Sequence, residues 1–467
     1  MYYIAADFGA GSGRVIVGTI SAEGLFLDEV HRFPNHQIDI GGRLYWDFPA
    51  LFHELKTGLR KAFAKYGSTI KSMGVDTWGV DYALIDKHGH LISNPVCYRD
   101  IRTKGVQEKA FEKIPKETFF SLAGNQFMDI NTVFQLYSSL LEDDDSLKYA
   151  DKLLFTPDLF NYFLTGTAVN EYTISSTSQM LNSSTGTWDR KIFSELGLPF
   201  KLMQRIVLPG FLLGRLTESV SEEVGGNIDV VAVGSHDTAS ALASIAATDD
   251  KCAFISSGTW SLMGVEIEHP IQTKAAMDAD FTNEGTISGT IRFLKNITGL
   301  WLIQSLVREW EGGGETCNYA TLVDEAERSS CNSVIDVSDN IFVAPKSMNE
   351  AITNYCKSHG EPEPITKGDF MRVICVSLAE EYAKVKLQLE SCTGKVINTI
   401  HVVGGGSQNA LLNRLTAEKT GCTVIAGPVE ATAIGNIAVQ AFASGELKTA
   451  EDLRLLLSKI DIKQYNP

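Results

Sequence analysis

Residues 2–18, YYIAADFGAGSGRVIVG, contain the pattern that decides the fold. The apolar segment Tyr2–Ala6 is β-prone, Asp7–Gly13 supplies turn residues, and Arg14–Gly18 is β-prone again. This order predicts a strand, a glycine-rich turn and a second strand. The same arrangement recurs at Ala253–Val265. We therefore predict that the chain consists of two related halves.

The rest of the chain alternates between strand-like and helix-like patterns. Leu51, Leu55, Leu59 and Phe63 have helical spacing and predict a helix from Phe48 to Tyr66. A second apolar stripe predicts a long core helix over 369–391, followed by a helix that begins near Asn409. Strands are predicted at 25–33, on both sides of the turn at 86–89 and at 396–403, and irregular surface loops at 311–364. Together these elements indicate an α/β protein.

The length and a change of pattern predict two large domains. A chain of 467 residues is too long for one ordinary hydrophobic core. The pattern changes near 245–252, where a helix gives way to a new strand. We predict an N-terminal domain at 1–246, a C-terminal domain at 247–450 and a tail at 451–467. Two domains would allow a cleft.

The composition favours a folded protein that binds neither nucleic acid nor membranes. The net charge of −16 would repel polyanions. No apolar run approaches the roughly 18 residues that span a bilayer. The N-terminal residues lack a basic leader, so we expect a cytoplasmic protein.

The cysteines are expected to be reduced. They form no C-x-x-C pair, and a disulfide such as Cys356–Cys375 would require an oxidising compartment that nothing else indicates. The eight residues are Cys97, Cys252, Cys317, Cys331, Cys356, Cys375, Cys392 and Cys422.

The small residues after Asp7 could bind phosphate. A tight turn without bulky side chains lets backbone N–H groups converge on phosphate oxygens. An ordinary hairpin is the alternative. The sequence contains neither a Walker A nor a G-x-G-x-x-G element, so a P-loop or Rossmann site is not supported.

Ser235–Thr238 lies between a predicted strand at 230–233 and a helix-forming segment. Asp237 therefore falls at a helix start, where Asp is common as a plain N-cap. The functional alternative is a carboxylate that the positive helix end keeps ionised and that accepts a proton from an alcohol. Kinases use an Asp for that step.

Two further segments allow both a functional and a structural interpretation. Asp76–Asp81 combines aromatic and polar residues, a composition that suits a sugar, although a strand end with one hydrogen-bonded Asp would look the same. Gly404–Gly406 would let a flat ring or a phosphate approach the backbone, or could be a helix-entry turn.

Taken in order, these motifs resemble the FGGY carbohydrate kinases, within the superfamily of actin, hexokinase and the heat-shock ATPases. Asp7 to Arg14 resembles the first phosphate loop, Ser256–Thr259 the second and Val403–Asn409 the adenosine motif. The resemblance covers about residues 4–442. It implies two actin-like (ribonuclease H-like) domains around a central nucleotide and sugar cleft.

Longer segments resemble the rhamnulokinase group of this family, and chance agreement over such lengths is implausible. The segments are DTWGVD at 76–81, YRDIRT at 98–103, SHDTASA at 235–241, SSGTWSLMG at 256–264, KNITGLWLIQ at 295–304, GGGSQNALLN at 404–413 and AGPVEATAIGN at 426–436.

The resemblance implies that ATP phosphorylates the 1-hydroxyl of L-rhamnulose with the help of Mg²⁺. It assigns Asp237 as the proton acceptor and Asp7 as a residue that holds Mg²⁺ through water. The implied ATP contacts are Ala10, Gly11, Ser12, Gly13, Arg14, Thr259, Gln304 and Gly405, and the implied sugar contacts are Gly79, His236, Asp237, Thr238 and Asn296. Gly11 and Ser407 depart from residues often found in related sequences, which leaves the details of phosphate bonding open.

Two alternatives remain. The protein could be another kinase of the family that acts on L-fuculose, xylulose, gluconate or glycerol. A nucleotide-binding switch or chaperone-like ATPase of the same superfamily is a different class, but it would need neither Asp237 nor the Asp76–Asp81 segment. The sequence does not distinguish a monomer from a homodimer.

Overall fold

The computed structural model describes residues 1–245, 251–343 and 345–467. Its strands are β1 (Tyr2–Phe8), β2 (Ser12–Ser21), β3 (Gly24–Pro34), β4 (Gln37–Ile40), β5 (Arg43–Trp46), β6 (Ile70–Thr77), β7 (Tyr82–Asp86), β8 (Ala150–Phe155), β9 (Asn170–Glu171), β10 (Leu181–Asn182), β11 (Thr187–Trp188), β12 (Ile206–Val207), β13 (Leu212–Arg215), β14 (Asp229–Val231), β15 (Cys252–Ser257), β16 (Trp260–Ile267), β17 (Thr282–Gly285), β18 (Ile291–Thr298), β19 (Thr399–Val403), β20 (Thr423–Ala426) and β21 (Lys463–Tyr465).

The helices follow in chain order. They are α1 (Phe48–Tyr66), α2 (Val106–Phe111), α3 (Lys116–Ala123), α4 (Thr132–Leu141), α5 (Ser146–Tyr149), α6 (Thr156–Thr165), α7 (Tyr172–Ser175), α8 (Arg190–Leu196), α9 (Glu218–Val224), α10 (Asp237–Ala243), α11 (Lys274–Asp278), α12 (Trp301–Gly312), α13 (Tyr319–Arg328), α14 (Met348–His359), α15 (Lys367–Thr393), α16 (Ala410–Thr420), α17 (Ala431–Ala443) and α18 (Ala450–Leu457). In the described part of the chain, none of them is long and apolar enough to cross a bilayer.

The chain divides into two compact units. Unit 1 comprises Met1–Ala246, Ile267–Phe293 and Ala431–Ile460, and unit 2 comprises Ala247–Glu266, Leu294–Glu430 and Asp461–Pro467. The predicted boundary between 246 and 247 lies outside the described residues, so it stays a prediction.

The main sheet of unit 1 has the strand order β13-β14-β6-β1-β2-β3. β1 pairs antiparallel with β2 and parallel with β6. Because side chains alternate across a strand, Ile4, Ala6 and Phe8 of β1 face the cluster that includes α1 and α6, while Tyr3 and Ala5 pack with α17 on the opposite face. The sheet is therefore covered on both faces.

Helix α17 is fixed against the sheet by buried amides. The Gln440 amide donates to the Ile4 carbonyl at 2.9 Å and accepts from the Ser72 hydroxyl at 2.7 Å. The adjacent helix α10 approaches α17 so closely that a Cβ on Gly435 would lie 1.7 Å from the Ser240 carbonyl oxygen. Glycine is required at this crossing because any side chain would collide with backbone.

The sheet of unit 2 repeats the same plan. Its strands belong to a seven-stranded sheet of order β17-β18-β16-β15-β19-β20-β21, in which β15 is antiparallel to β16 and parallel to β19. In unit 1 the antiparallel hairpin β1–β2 is followed on the β1 side by the parallel strands β6 and β14. In unit 2 the antiparallel hairpin β15–β16 is followed on the β15 side by the parallel strands β19 and β20. The prediction of two related α/β halves is confirmed.

Two local predictions were wrong in part. The segment predicted as irregular loops, 311–364, contains α13 and α14, whose buried residues include Leu322 and Ile352, whereas 329–339 between them has no helix or strand. The turn at 86–89 is preceded by β7 but followed by a single bridge between Ile85 and Leu91 rather than by a second strand, and the long partner of β7 is the distant β8. Local glycines and charges concealed the helices.

Replacing Gly435 by Ala should lower the free energy of unfolding by about 1–3 kcal/mol or more, the cost typical of overpacking. The added Cβ would have to displace the backbone of α10. Urea unfolding followed by circular dichroism measures this change.

The matched control is Gly312→Ala, because Gly312 also lies in a helix but has open space around it. That variant should be unchanged or up to about 1 kcal/mol more stable, as expected from helix propensity. Equal stabilities for the two variants would contradict the packing that we describe.

Candidate active site

The parallel pairing of β1 with β6 places two carboxylates side by side. Asp7 and Asp76 are register partners near the carboxyl ends of these strands. In the next segment, Thr77 N–H donates to the Ser235 carbonyl at 2.9 Å and Thr77 forms a parallel bridge with His236. Since carboxyl ends of parallel strands meet at one edge of a sheet, Asp7, Asp76 and the following Asp237 lie at the same edge.

The glycine-rich turn joins β1 to β2 as a tight hairpin. Gly9 N–H donates to the Ser12 carbonyl at 2.9 Å, and the Asn35 side chain donates to the Gly9 carbonyl at 2.9 Å. Arg14 lies opposite Asp7 in the antiparallel register, and its guanidinium donates to the Asp7 carboxylate at 2.5 Å. The turn thus brings one cation against the acidic edge.

Asp76 is a completely buried acid. Its Oδ2 accepts from Asn436 Nδ2 at 2.5 Å, while Oδ1 has no hydrogen-bond partner in the described part of the chain. Burial raises the pKa of Asp76 well above its usual value, and the negative charge of Asp7 raises it further. A neutral carboxyl group is therefore favoured at this position.

Asp237 is the first residue of α10, and His236 occupies the N-cap position. The predicted helix start at Asp237 is confirmed, and of the two interpretations left open for this residue the plain N-cap does not hold, because His236 occupies that position. Its Oδ1 accepts from the N–H and hydroxyl of Thr238 at 2.5 and 3.1 Å. The expected ionising effect of the helix end is outweighed, since burial raises the pKa of Asp237, with His236 lowering and Asp7 raising it.

Gly79 lies beside His236. A Cβ on Gly79 would be 3.3 Å from His236 Nε2, so a side chain here would crowd the imidazole. The next residue, Val80, has a φ of 66°, which is unusual for a β-branched residue. Thr177 accepts from Val80 N–H at 3.2 Å and Thr132 donates to its carbonyl at 2.6 Å. These contacts hold the strained segment in place.

Asp81 has a structural role. Its carboxylate accepts from the indole N–H groups of Trp46 and Trp78 at 2.6 and 3.0 Å, from Tyr98 N–H at 3.2 Å and from Gln135 at 3.0 Å. Burial raises its pKa to about 6, against the effect of these hydrogen bonds. These contacts agree with the interpretation of Asp81 as a hydrogen-bonded Asp near the end of a strand rather than as a sugar contact.

Unit 2 contains the other predicted residues. The Thr259 hydroxyl donates to Gln304 Oε1 at 3.3 Å, which brings these two predicted ATP contacts together. Gly405 begins a short 3₁₀ helix, Gly405–Gln408, and a Cβ there would meet nothing within 4 Å. Asn296 lies on β18. The second hairpin resembles the first, since Gly258 N–H donates to the Trp260 carbonyl at 2.8 Å.

Sequence reasoning missed Glu284 and Arg292, which contact His236. Arg292 Nη2 lies 2.8 Å from His236 Nδ1, and Glu284 Oε2 lies 3.5 Å from it. A signal was present, because Arg292 interrupts an otherwise apolar strand segment, Ile291–Leu294. Charged residues are rarely buried unless they are paired.

Comparison with known proteins identifies the family. The N-terminal domain of the FGGY family of carbohydrate kinases matches residues 2–244, and its C-terminal domain matches residues 253–444. The chain belongs to the FGGY family of carbohydrate kinases. It is thus an ATP-dependent sugar kinase, and the earlier resemblance to this family is confirmed.

Relatives of this kinase include curated rhamnulokinases. The chain is 44% identical to the rhamnulokinase of Bacteroides thetaiotaomicron over 470 residues, covering 100% of this chain and 96% of that protein. It is 41% identical to the rhamnulokinase of Halalkalibacterium halodurans, covering 99% and 98%. The alignments extend over essentially the full length of the kinase.

Solved structures share the fold at much lower identity. A xylulose kinase from Lactobacillus acidophilus superposes with a TM-score of 0.81 at 15% identity, covering 100% of this chain and 94% of that one. A Plasmodium falciparum glycerol kinase with ADP gives a TM-score of 0.79 at 14% identity, covering 100% and 94%. The predicted fold class is confirmed.

Replacing Asp76 by Asn should stabilise the kinase increasingly as the pH rises from about 4. In the native protein the pKa of Asp76 is raised above its unfolded value, so the folded state binds the proton more tightly and loses stability as the pH rises between the two values. Asn cannot ionise and avoids this loss, which is about 1.4 kcal/mol for each unit between the two pKa values.

Urea unfolding between pH 4.5 and 7.5 measures the difference between the variant and the native protein. Asp324→Asn, at an exposed position on α13, is the control and should leave the pH dependence unchanged. A stability difference for Asp76→Asn that falls with rising pH would show that the native carboxylate is stabilised rather than destabilised.

Proposed function

We propose that this kinase transfers the γ-phosphoryl group of ATP to the 1-hydroxyl of L-rhamnulose, giving L-rhamnulose 1-phosphate and ADP in the catabolism of L-rhamnose. The observation that carries the proposal is the 44% identity to a rhamnulokinase along the whole chain. The carboxylate of Asp237, beside the imidazole of His236, supplies the chemistry that such a reaction requires.

Asp237 is the proposed proton acceptor. Thr238 donates only to Oδ1, and no hydrogen bond reaches Oδ2 in the part of the chain that the structure describes. About a third of the side chain is exposed, at 32%. Oδ2 is thus available to a sugar hydroxyl. The raised pKa of Asp237 makes its carboxylate a better base than an ordinary Asp.

His236, Thr238 and Gly79 are the proposed sugar contacts of unit 1. Gly79 leaves room next to the imidazole, and His236 and Thr238 flank the base on either side. A hydroxyl held between them would point its proton at Asp237. Holding the reacting groups in this geometry removes much of the entropic cost that a bimolecular reaction would otherwise carry. In unit 2, Asn296 is the proposed sugar contact.

The proposed ATP contacts use both hairpins. In unit 1 these are Ala10 to Gly13 and Arg14, whose cation would offset the negative charge of the phosphates. In unit 2 the paired side chains of Thr259 and Gln304 and the open backbone at Gly405 would contact ATP. Glycines at such positions let backbone N–H groups approach phosphate oxygens.

The acidic edge suits Mg²⁺, which prefers carboxylate and water oxygens. Asp7 is the proposed residue that holds it through water, and Asp76, its register partner on β6, lies beside it. The ion would neutralise charge on the transferring phosphoryl group. Among the described residues, no three acidic, His or Cys side chains form a direct metal site.

The proposal also places the kinase in the cytoplasm, where ATP is available. All eight cysteines are free thiols, four of them buried, as expected for a reducing compartment.

The sugar specificity is testable with a panel of substrates. L-Rhamnulose should give the highest kcat/KM in a coupled ADP-release assay with Mg-ATP, compared with L-fuculose, xylulose, gluconate and glycerol. Equal or better turnover of xylulose or glycerol would contradict the proposed substrate and leave the kinase class intact.

The Asp237→Asn variant should lose about 10²–10⁴-fold in kcat, the range for a positioned acid–base group. The amide keeps the shape but cannot accept the proton, so ATP affinity by calorimetry and the unfolding midpoint should hardly change. Asp229→Asn, at the exposed start of β14, is the matched control and should retain full activity. Near-native turnover by Asp237→Asn would show that Asp237 does not act as the base.

A further inference from the structure

A buried line of charged and polar groups leads to the imidazole of His236 from the side opposite Asp237. Arg292 is completely buried, and its Nη2 donates to Glu284 Oε2 at 3.0 Å and contacts His236 Nδ1 at 2.8 Å. His236 Nε2 lies 3.4 Å from Asp237 Oδ1. The four side chains are therefore connected in space in the order Glu284, Arg292, His236, Asp237.

The contact between Arg292 and His236 decides where the imidazole carries its proton. A guanidinium group has donors only and stays charged in proteins. At 2.8 Å, Nδ1 must be the acceptor, because a proton there would place two donors against each other. A neutral imidazole whose Nδ1 accepts carries its hydrogen on Nε2. Nε2 is the atom that faces Asp237 and Gly79.

Arg292 is itself held in one orientation. Nη2 has two hydrogens, one for Glu284 and one for His236, whereas Nε and Nη1 make no hydrogen bond among the described residues. Burial alone would raise the pKa of Glu284, but the charge of Arg292 and the contact with His236 lower it below its usual value. Glu284 is thus an ionised anchor for the guanidinium.

The backbone of His236 is fixed as well. His236 N–H donates to the Thr173 hydroxyl oxygen at 3.1 Å, and that hydroxyl donates to the buried Glu171 at 2.6 Å. Because His236 is buried and its Nδ1 contacts Arg292, the imidazole has little room to turn away or to exchange its two nitrogens. The ring orientation and the position of the proton are determined together.

This arrangement matters for the base. If Nδ1 carried the proton, the lone pair of Nε2 would face the Asp237 carboxylate. If the imidazole carried two protons, its positive charge would pair with Asp237 and weaken its ability to accept a proton. Nδ1 uses its lone pair to accept from Arg292, so that atom has no lone pair left for a second proton. Only the neutral form with hydrogen on Nε2 gives a donor next to a free acceptor.

We infer that Arg292, anchored by Glu284, is a positioning residue that fixes His236 as the neutral Nε2–H form, so that Nε2–H donates to the oxygen on C2 of the sugar while Asp237 accepts the proton of the adjacent 1-hydroxyl. The part concerning the sugar rests on the proposed function. A donor beside an acceptor matches a 2-ketose, in which the C2 oxygen can accept and the hydroxyl on C1 donates.

Nitrogen NMR tests the tautomer without any substrate. The full chain is labelled with ¹⁵N-histidine, and His236 is assigned from the signal lost in His236→Gln. In the native kinase, two-bond couplings should identify a protonated Nε2 and an unprotonated Nδ1. Arg292→Lys keeps a cationic donor and should retain this pattern. In Arg292→Met, Nδ1 should take the proton and donate to Glu284.

Kinetics provide a second, independent readout. Arg292→Met should lower kcat/KM for the sugar by about 10- to 100-fold, the range found for hydrogen-bond partners that orient metal-bound histidines and taken here as a guide. The KM for ATP should change little, and Arg292→Lys should recover part of the loss. Arg60→Met, which removes an exposed Arg–Glu pair with Glu223, is the control and should be fully active.

A double-mutant cycle separates positioning from mere structural support. Glutamine at position 236 offers an amide donor but has no tautomers, so Arg292→Met should cost much less in the His236→Gln background than in the native one. An equal loss in both backgrounds, or a protonated Nδ1 in the native kinase, would overturn the inference.

Failure of the proposed substrate would look different. In that case another sugar would be turned over best, but the NMR pattern of native His236 would be unchanged. The cycle would then be measured with that sugar. If Arg292→Met does not fold, the native spectrum and the Arg292→Lys variant still decide the position of the proton.

Discussion

The acidic edge of the sheet in unit 1, where Asp7, Asp76 and Asp237 lie, depends on the parallel register between β1 and β6. This register places Asp7 against Asp76, and the Thr77–His236 bridge extends the same edge to Asp237. Burial raises the pKa values of Asp76 and Asp237, and the negative charge of Asp7 raises both further. The strand pairing that builds the site thus also sets its acid–base chemistry.

The same edge is stabilised from both ends of the sequence. Arg14 pairs with Asp7 from the neighbouring strand β2, and Asn436 of α17 donates to Asp76 across 360 positions of the chain. Helix α17 can reach the sheet because Gly435 allows close contact with α10, the helix that begins at Asp237. A single late helix therefore supports both the buried acid and the element that carries the proposed base.

The sequence predicted local features well and tertiary ones poorly. The hairpin after Asp7 and the helix Phe48–Tyr66 were visible because turn residues and apolar spacing act over short distances. The site residues from Gly79 to Asp237 came from the resemblance, and their roles stay a prediction. The pairing of β7 with β8, the orphaned oxygen of Asp76 and the Arg292–His236 contact depend on residues far apart in sequence. No periodicity or spacing contains that information.

The central claim is that the Asp237 carboxylate, rather than another acid of this edge, receives the proton of the sugar hydroxyl. A crystal structure with L-rhamnulose, Mg²⁺ and a non-hydrolysable ATP analogue tests this directly. We expect Asp237 Oδ2 at about 2.6–3.2 Å from the 1-hydroxyl oxygen, the reach of a general base. A complex in which that hydroxyl contacts Asp76 or Asp7, with Asp237 separated from it by more than one water molecule, would contradict the account.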